Sequence, residues 1–289
     1  MSCNRYSNTI IFSLEFCERT QGNFVVNRFF VGLVVVISFI SISYASERYS
    51  FGVVPQQSTS KLVRSWAPIF KYIEQQSGVK LQFATKRNIP TFEEACASAD
   101  YDFVYMNPYN YVQFHDESGY EAIAKARDKK IKGIIVVRKD SKFKKLKDLS
   151  GKKLAFASHL AFGASLIPRN ELKKRAVKYT SKYLGSHDLV YSNVAQGNFV
   201  AGGGVMRTFQ TADPEVRKKL RILWTSKGNT PHAFVAQSRV PKHIVKKVQQ
   251  VLVSLEQTAQ GRTFLNKLKI KGIEVAKNSD WDDIRKLKF

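Results

Sequence analysis

The chain is poor in acid. Its 289 residues hold 23 Asp and Glu against 47 Lys and Arg, a net charge of +24. That imbalance points to anionic partners: a small anion, a membrane surface or nucleic acid. The basic residues recur in several stretches, 125–132, 138–153, 169–182, 217–227 and 242–247, and not in one block. Spread in this way most of them read as solvated faces, and the charge by itself names no partner. Cysteine is scarcer still. Of Cys3, Cys17 and Cys96, only Cys96 lies beyond residue 45, so a chain cleaved there cannot form an internal disulfide. Cys96 reads as a small buried residue and not as a nucleophile. The five histidines, at 115, 159, 187, 232 and 243, fall in no HExxH or Cys-rich spacing, so no metal site is expected. No serine stands in a GxSxG setting. Gly202, Gly203 and Gly204 lack the Gly-Lys-Ser/Thr ending of a nucleotide phosphate loop and are read as a tight strand-to-helix turn near a ligand. No cofactor is expected. Nor is any nucleic-acid module recognisable, and an exported protein would not meet the genome.

Long hydrophobic runs are also missing. The longest, FFVGLVVVISFISI at residues 29–42, falls short of the ~20 residues of a membrane-spanning helix. It follows Asn27-Arg28 and precedes Ser43-Tyr44-Ala45. A basic flank, a short apolar run and a small-x-small ending make a secretory signal peptide, with cleavage expected after Ala45. The alternative is an uncleaved membrane anchor. No cysteine stands at the cleavage point, so no lipid anchor is implied. Residues 1–24 carry Glu15 and Glu18, unlike a signal peptide's basic start, and a start codon at Val25 or Val26 would leave them untranslated. Removing residues 1–45 takes away three arginines and two glutamates, leaving +23, so the basicity belongs to the exported part.

The full chain is 44% hydrophobic and 24% charged, a globular composition, and is long enough for two lobes of usual domain size. The organising stretch is YDFVYMNPYNY, residues 101–111. It begins as a buried strand and breaks at Asn107-Pro108 into a helix start, where proline's missing N–H does no harm. Such a turn aims backbone N–H groups and the positive helix end outward, a site for an anion. Around it, a strand at 49–54, a helix carrying Leu62, Trp66, Ile69, Phe70 and Ile73 on one face, a strand at 79–85 and a helix at 91–99 give strand–helix–strand–helix–strand order. That order implies a parallel sheet whose ligand sits beyond the strands' carboxyl ends, at 55–60 and 106–109. Strands at 120–126 and 132–138 are read as a pair joined by a basic tip. Residues 141–156 lead into a second unit with the same logic: strand 154–157, turn 158–164, helix 165–175, strand 178–183, helix 187–196 and strand 199–201. Pro241 opens what reads as the longest helix, its apolar face running from Ile244 to Ala259, and Ser279 is read as the cap of a last helix.

Residues 139–156 read basic-Asp-Ser, then Leu-x-Asp-Leu-x-Gly-Lys-x-Leu-x-Phe. This resembles the opening of the second lobe in periplasmic solute-binding proteins. Stretches 51–55, 101–111, 156–168 and 183–203 resemble, in order, the phosphate, phosphite and phosphonate-binding branch of the ABC-transporter binding proteins. The resemblance implies an α/β, type 2 two-lobed fold, each lobe a mixed, mostly parallel sheet flanked by helices. It places residues 46–137 plus 233–289 in lobe 1 and 138–232 in lobe 2, with hinges near 137–139 and 230–233. It also implies a ligand cleft between the lobes, lined by Gln56, Tyr105, Asn107, Ala161, Phe162, Gly163, His187, Arg207, Thr230 and His232. His187, opening a helix, matches a histidine that donates to the oxyanion; the other reading is a solvent-facing helix start. Two departures bear on the ligand. The Ser-Thr-Ser run of phosphonate binders is Ala161-Phe162-Gly163 here, and the family's acidic positions fall at Arg207 and Thr230. Arg207 offers a two-pronged donor to phosphate or carboxylate, or else a solvated helix residue. His232 lines the cleft or packs the hinge. The expected protein is not an enzyme. It is a monomeric periplasmic binding protein that hands a small anion to a membrane permease and ATPase. The alternatives are a ligand sensor for a separate membrane kinase or cyclase, and an enzyme on the same fold.

Overall fold

Eleven strands and ten α-helices alternate along residues 47–287, the part of the chain that the computed structural model describes. The expected leader, its cleavage point and the question of residues 1–24 lie outside the described residues. Strand β1 is Arg48–Val53, whose last three residues are all buried. It runs into helix α1, Thr59–Ser77, which buries the predicted face of Leu62, Trp66, Ile69, Phe70 and Ile73. Gly78 ends α1 in the left-handed region, φ 72°, and its N–H donates to Glu74 O. Strand β2 (Lys80–Ala84), helix α2 (Ile89–Ala97) and strand β3 (Phe103–Met106) complete a parallel core in which β1 pairs with both β2 and β3. Asn107 caps helix α3, Pro108–Ser118, accepting from Asn110 N at 2.9 Å, with Pro108 in the first turn as the sequence indicates.

Strand β4, Tyr120–Ala126, joins the first sheet, but strand β5, Gly133–Arg138, does not pair with it. β5 lies between two strands of the second sheet and is antiparallel to both. This corrects the sequence boundary: the chain leaves the first sheet through 127–132, not at 137–139. The reason is that Ile134 to Val137 are all fully buried and need neighbours on both edges. The second sheet is built from β6 (Lys152–Phe156), β7 (Tyr179–Tyr183), β8 (Ala201–Val205) and β9 (Leu220–Thr225) together with β5, in the order β7-β6-β8-β5-β9. Its helices are α4 (Ile167–Lys174), preceded by a wide turn at Phe162–Leu166, then α5 (His187–Ala195), α6 (Met206–Gln210) and α7 (Pro214–Arg217). The chain returns through 226–232 to β10, Ala233–Gln237. Helices α8 (Lys242–Ser254) and α9 (Ala259–Leu268), strand β11 (Ile273–Val275) and helix α10 (Asp282–Arg285) close the first lobe, whose sheet order is β11-β4-β10-β3-β1-β2.

Both sheets are mixed. Parallel pairing holds among β1, β2 and β3 and among β6, β7 and β8; the outer strands add antiparallel pairs. Three further readings change. The three glycines form the middle of β8 and not a turn. A Cβ on Gly202 would meet Val190 at 2.4 Å, one on Gly203 the Ala164 carbonyl at 2.1 Å, and one on Gly204 the Tyr191 ring. The residues are glycine because α5 and the Phe162–Leu166 turn press directly on the strand. The helix opened by Pro241 stops at Ser254, so α1 with 19 residues is longer than α8 with 13. Thr258 caps a separate helix there, accepting from Gly261 N. Lys277, not Ser279, occupies the cap position of the short turn Asn278–Trp281 that leads into α10. Among the described residues no helix is long and apolar enough to cross a membrane.

Candidate functional site

The carboxyl ends of β1, β3, β6, β7 and β8 all run into turns that meet between the two sheets. Seven of the ten predicted site residues, Gln56, Asn107, Ala161, Phe162, Gly163, His187 and His232, line one small cavity of about 10 Å³. Space of that size admits about one water-sized particle. Val54, Ile89, Ile131, Ala164 and Val205 complete its wall.

His187 opens α5, capped by Ser186, whose side chain accepts from Leu189 N. The imidazole is 1% exposed, which excludes the solvent-facing reading. Its Nδ1 lies 2.9 Å from Thr208 Oγ1, which in turn lies 2.9 Å from the Tyr191 hydroxyl and donates to Val205 O at 3.0 Å. Its Nε2 is buried and has no hydrogen-bond partner among the described residues. Burial, and then the Arg207 cation, push the imidazole pKa down to about 3, so the ring is neutral near pH 7. His232 is 3% exposed and also held well below its ordinary pKa, by burial, then Arg207, then His187. Its Nε2 meets Gln56 Nε2 at 2.9 Å, which requires that the ring nitrogen accept. The Arg207 guanidinium donates to Gln56 Oε1. Gln56 thus ties an arginine of the second lobe to a histidine of the return crossing.

Two predicted residues serve mainly the protein itself. The Asn107 side-chain amide is engaged with Asn110, as acceptor from its N–H and as donor to its side-chain oxygen. Thr230 is buried and its N–H donates to Asp283 Oδ2 at 2.9 Å, so it anchors the crossing and lines neither cavity described here. Tyr105 and Arg207 line a second, larger chamber of about 400 Å³ on the hinge side, where His232 forms part of the shared wall. Tyr105 stacks on His232, ring centroids 5.1 Å apart, and packs on Trp66 and Phe234. At 161–163 the turn offers backbone and no hydroxyl. Ser158 and Ser165 flank it, fully buried, with hydroxyls that have no partner among the described residues. Their spacing in sequence carried no signal, because serines are common in any turn. Among the described residues no group of histidines, cysteines and acids could hold a metal. Cys96 is buried, and burial pushes its thiol well above the ordinary pKa.

Direct contacts join the two lobes around this cavity. His187 N donates to Gln56 O at 3.0 Å, Ile89 N to Gly185 O at 3.0 Å, and Gln57 Nε2 to Thr211 Oγ1 at 3.0 Å. At the outer rim Asp188 Oδ2 accepts from Ser58 N at 3.2 Å and from Lys61 Nζ at 3.1 Å. On the opposite side the two crossings bond to one another, Ile131 and Asn229 exchanging both backbone hydrogen bonds.

A family profile described as "ABC transporter, phosphonate, periplasmic substrate-binding protein" matches residues 51–281. The chain belongs to that family. Phosphonate-family binding proteins serve importers, so membership implies a membrane permease and ATPase as partners, and the family is one of transport proteins and not of enzymes. The chain is 22% identical over 237 residues to the phosphate-import protein PhnD of Mycolicibacterium smegmatis, covering 70% of each. Its fold matches PhnD1 of Prochlorococcus marinus, solved in complex with methylphosphonate, with TM-score 0.76, 19% identity and coverage of 83% of this chain and 96% of that one. It also matches a binding-protein component of a phosphonate ABC transporter from Pseudomonas aeruginosa, with TM-score 0.75, 15% identity and coverage of 83% and 85%. The type 2 two-lobed fold expected from sequence is the fold observed.

Proposed function

We propose that this phosphonate-family protein binds a small phosphorus oxyanion, of the phosphate, phosphite or phosphonate class, between its lobes and presents it to an ABC importer. The observation that carries the reading is the buried, unpartnered Nε2 of His187, on a ring fixed by Thr208 beside the first turn at 161–164. On ligand binding the Thr208 hydroxyl turns from the Val205 carbonyl, which keeps the Tyr191 hydroxyl as donor, to Nδ1; Nε2 then carries the proton and donates to an oxyanion, and the first-turn backbone and the helix dipole add positive potential. The relative solved with methylphosphonate supports the ligand class.

A tetrahedral phosphorus oxyanion is larger than a water-sized space. Its entry therefore requires an open form, in which the bonds from His187 N to Gln56 O and from Ile89 N to Gly185 O are broken by rotation about the crossings at 127–132 and 226–232. Ligand and interlobe contacts then hold the closed form together, and the importer reads that form. The same proposal includes export directed by residues 29–45 and a monomeric protein.

The test is a thermal-shift screen of the purified protein against phosphate, phosphite, methylphosphonate, 2-aminoethylphosphonate, sulfate and small carboxylates. Ligand at 100 times its Kd adds about 2.7 kcal/mol, a clear rise in Tm. We expect a rise with at least one phosphorus oxyanion and its loss in His187→Gln. No rise with any of them sinks the proposal.

A further inference from the structure

The hinge-side chamber is built for more than a small oxyanion. It has a volume of about 400 Å³ and a partly apolar wall that includes Tyr105, Met206, Pro231 and Ile270. Four cations line it: Lys129, Lys130, Lys132 and Arg207. The one acid on its wall, Asp128, lies 3.9 Å from Arg127, which is bonded to Glu256. None of the four cations has a carboxylate partner within ion-pair distance among the described residues. They also repel one another. The Lys129 ammonium is held below its ordinary pKa by burial, then by Arg207, Lys271 and Lys269, and its Nζ finds only the Lys269 carbonyl, at 2.8 Å. A surface that gathers like charges without counter-charges around a cavity favours an anion inside it, and low-dielectric walls strengthen that preference.

The chamber shares Ile131, Val205 and His232 with the small cavity at His187. A ligand whose oxyanion lies at His187 therefore has one wall to pass before its remaining atoms reach the chamber. We propose that the hinge chamber receives the body and a second acidic group of an extended ligand, so that the preferred substrate class is an organophosphorus acid bearing a carboxylate or a second phosphoryl group. Arg207 and Lys129 pair with that second group, and the apolar wall takes the carbon chain between the two anionic ends. The same cations disfavour a ligand whose far end is an amine, because like charges at close range in a partly buried site cost free energy. This inference rests on the proposed phosphorus-oxyanion reading.

The experiment is isothermal titration calorimetry of the purified protein with methylphosphonate, 2-aminoethylphosphonate, phosphonoacetate and 3-phosphonopropionate. We expect at least one phosphonocarboxylate to bind at least tenfold tighter than methylphosphonate, and 2-aminoethylphosphonate to bind more weakly than methylphosphonate. The double variant Lys129→Gln/Lys132→Gln should remove that tenfold preference and leave methylphosphonate affinity within about twofold. Lys130→Gln/Lys132→Gln, which changes two exposed side chains, repeats the test with the Lys129 contact intact and should remove part of the preference. Methylphosphonate binding with no gain from a carboxylate, or with 2-aminoethylphosphonate preferred, overturns the inference and leaves the functional proposal standing. Failure of all four to bind removes the functional proposal, and this inference falls with it.

Discussion

Two buried groups give the stability of this protein opposite pH slopes. The folded His187 pKa, about 3, lies below the ordinary 6.5. Its contribution is therefore complete above pH 6.5 and is lost as pH falls toward 3. We expect parent protein to lose about 2 kcal/mol through this residue between pH 6.5 and 5, a loss that His187→Gln removes, measured by denaturant unfolding at each pH. Glu93 runs the other way. It is 8% exposed, its Oε1 has no partner among the described residues, and burial pushes its carboxyl up to about 7 from 4.5. Its contribution is complete below pH 4.5 and is lost as pH rises through 7. Glu93→Gln should thus flatten the decline between pH 5 and 8, by about 3 kcal/mol at most. An unchanged slope in that variant would show that Glu93 is ionised in the folded protein. At this scale the family resemblance placed His187 at the opening of a helix, and the structure has it open α5. Glu93 was not visible, since nothing in TFEEACA distinguishes the buried glutamate from Glu94 beside it.

Elements rather than single residues decide how closely the lobes approach. β8 is three glycines wide where α5 and the Phe162–Leu166 turn cross it. Gly203→Ala places a methyl 2.1 Å from the Ala164 carbonyl and 2.6 Å from the Phe156 ring. Overpacking of this kind costs about 1–3 kcal/mol, and we expect Tm to fall by several degrees. A neutral Gly203→Ala would mean that the turn is free to move away from the strand. The first turns of α1 and α5 are joined at the rim by Asp188, Lys61 and the Ser58 N–H. Both side chains are partly exposed, so the ion pair alone contributes little. Its effect is on the balance between closed and open forms. Asp188→Asn should weaken ligand binding by about two- to fivefold with Tm nearly unchanged, a split that titration and melting together would reveal.

At the scale of the whole molecule, the two crossings at 127–132 and 226–232 are the only backbone links between the sheets among the described residues, and they are bonded side by side. In the proposed function these links serve as the hinge about which the two sheets turn. Small-angle scattering should give a smaller radius of gyration with a bound phosphorus oxyanion than without it; equal radii would rule closure out. The net charge of +24 makes anion affinity dependent on salt. Raising ionic strength from 0.01 to 0.15 M shortens the screening length from about 30 to about 8 Å, and affinity for an anion should fall accordingly.

The sequence by itself determined the strand–helix order, the helix start at Asn107-Pro108, the buried face of α1 and the family, because each of these is written in short-range spacing that survives without neighbours. It also identified most of the residues that gather at the strand ends, since strand ends in such a sheet converge whatever the details of packing. Only the tertiary structure decided the rest. β5 went to the second sheet because a fully buried strand takes whichever partners cover both its edges, and no local signal names them. The division of the predicted site into a small cavity at His187 and a cationic chamber at Arg207 depends on which way side chains from five separate turns point. Thr230, adjacent in sequence to the crossing that supplies His232, was drawn to Asp283 instead, because the C-terminal helix folds back over that crossing. Spacing along a chain fixes which residues share an element, whereas packing fixes which of them share a cavity.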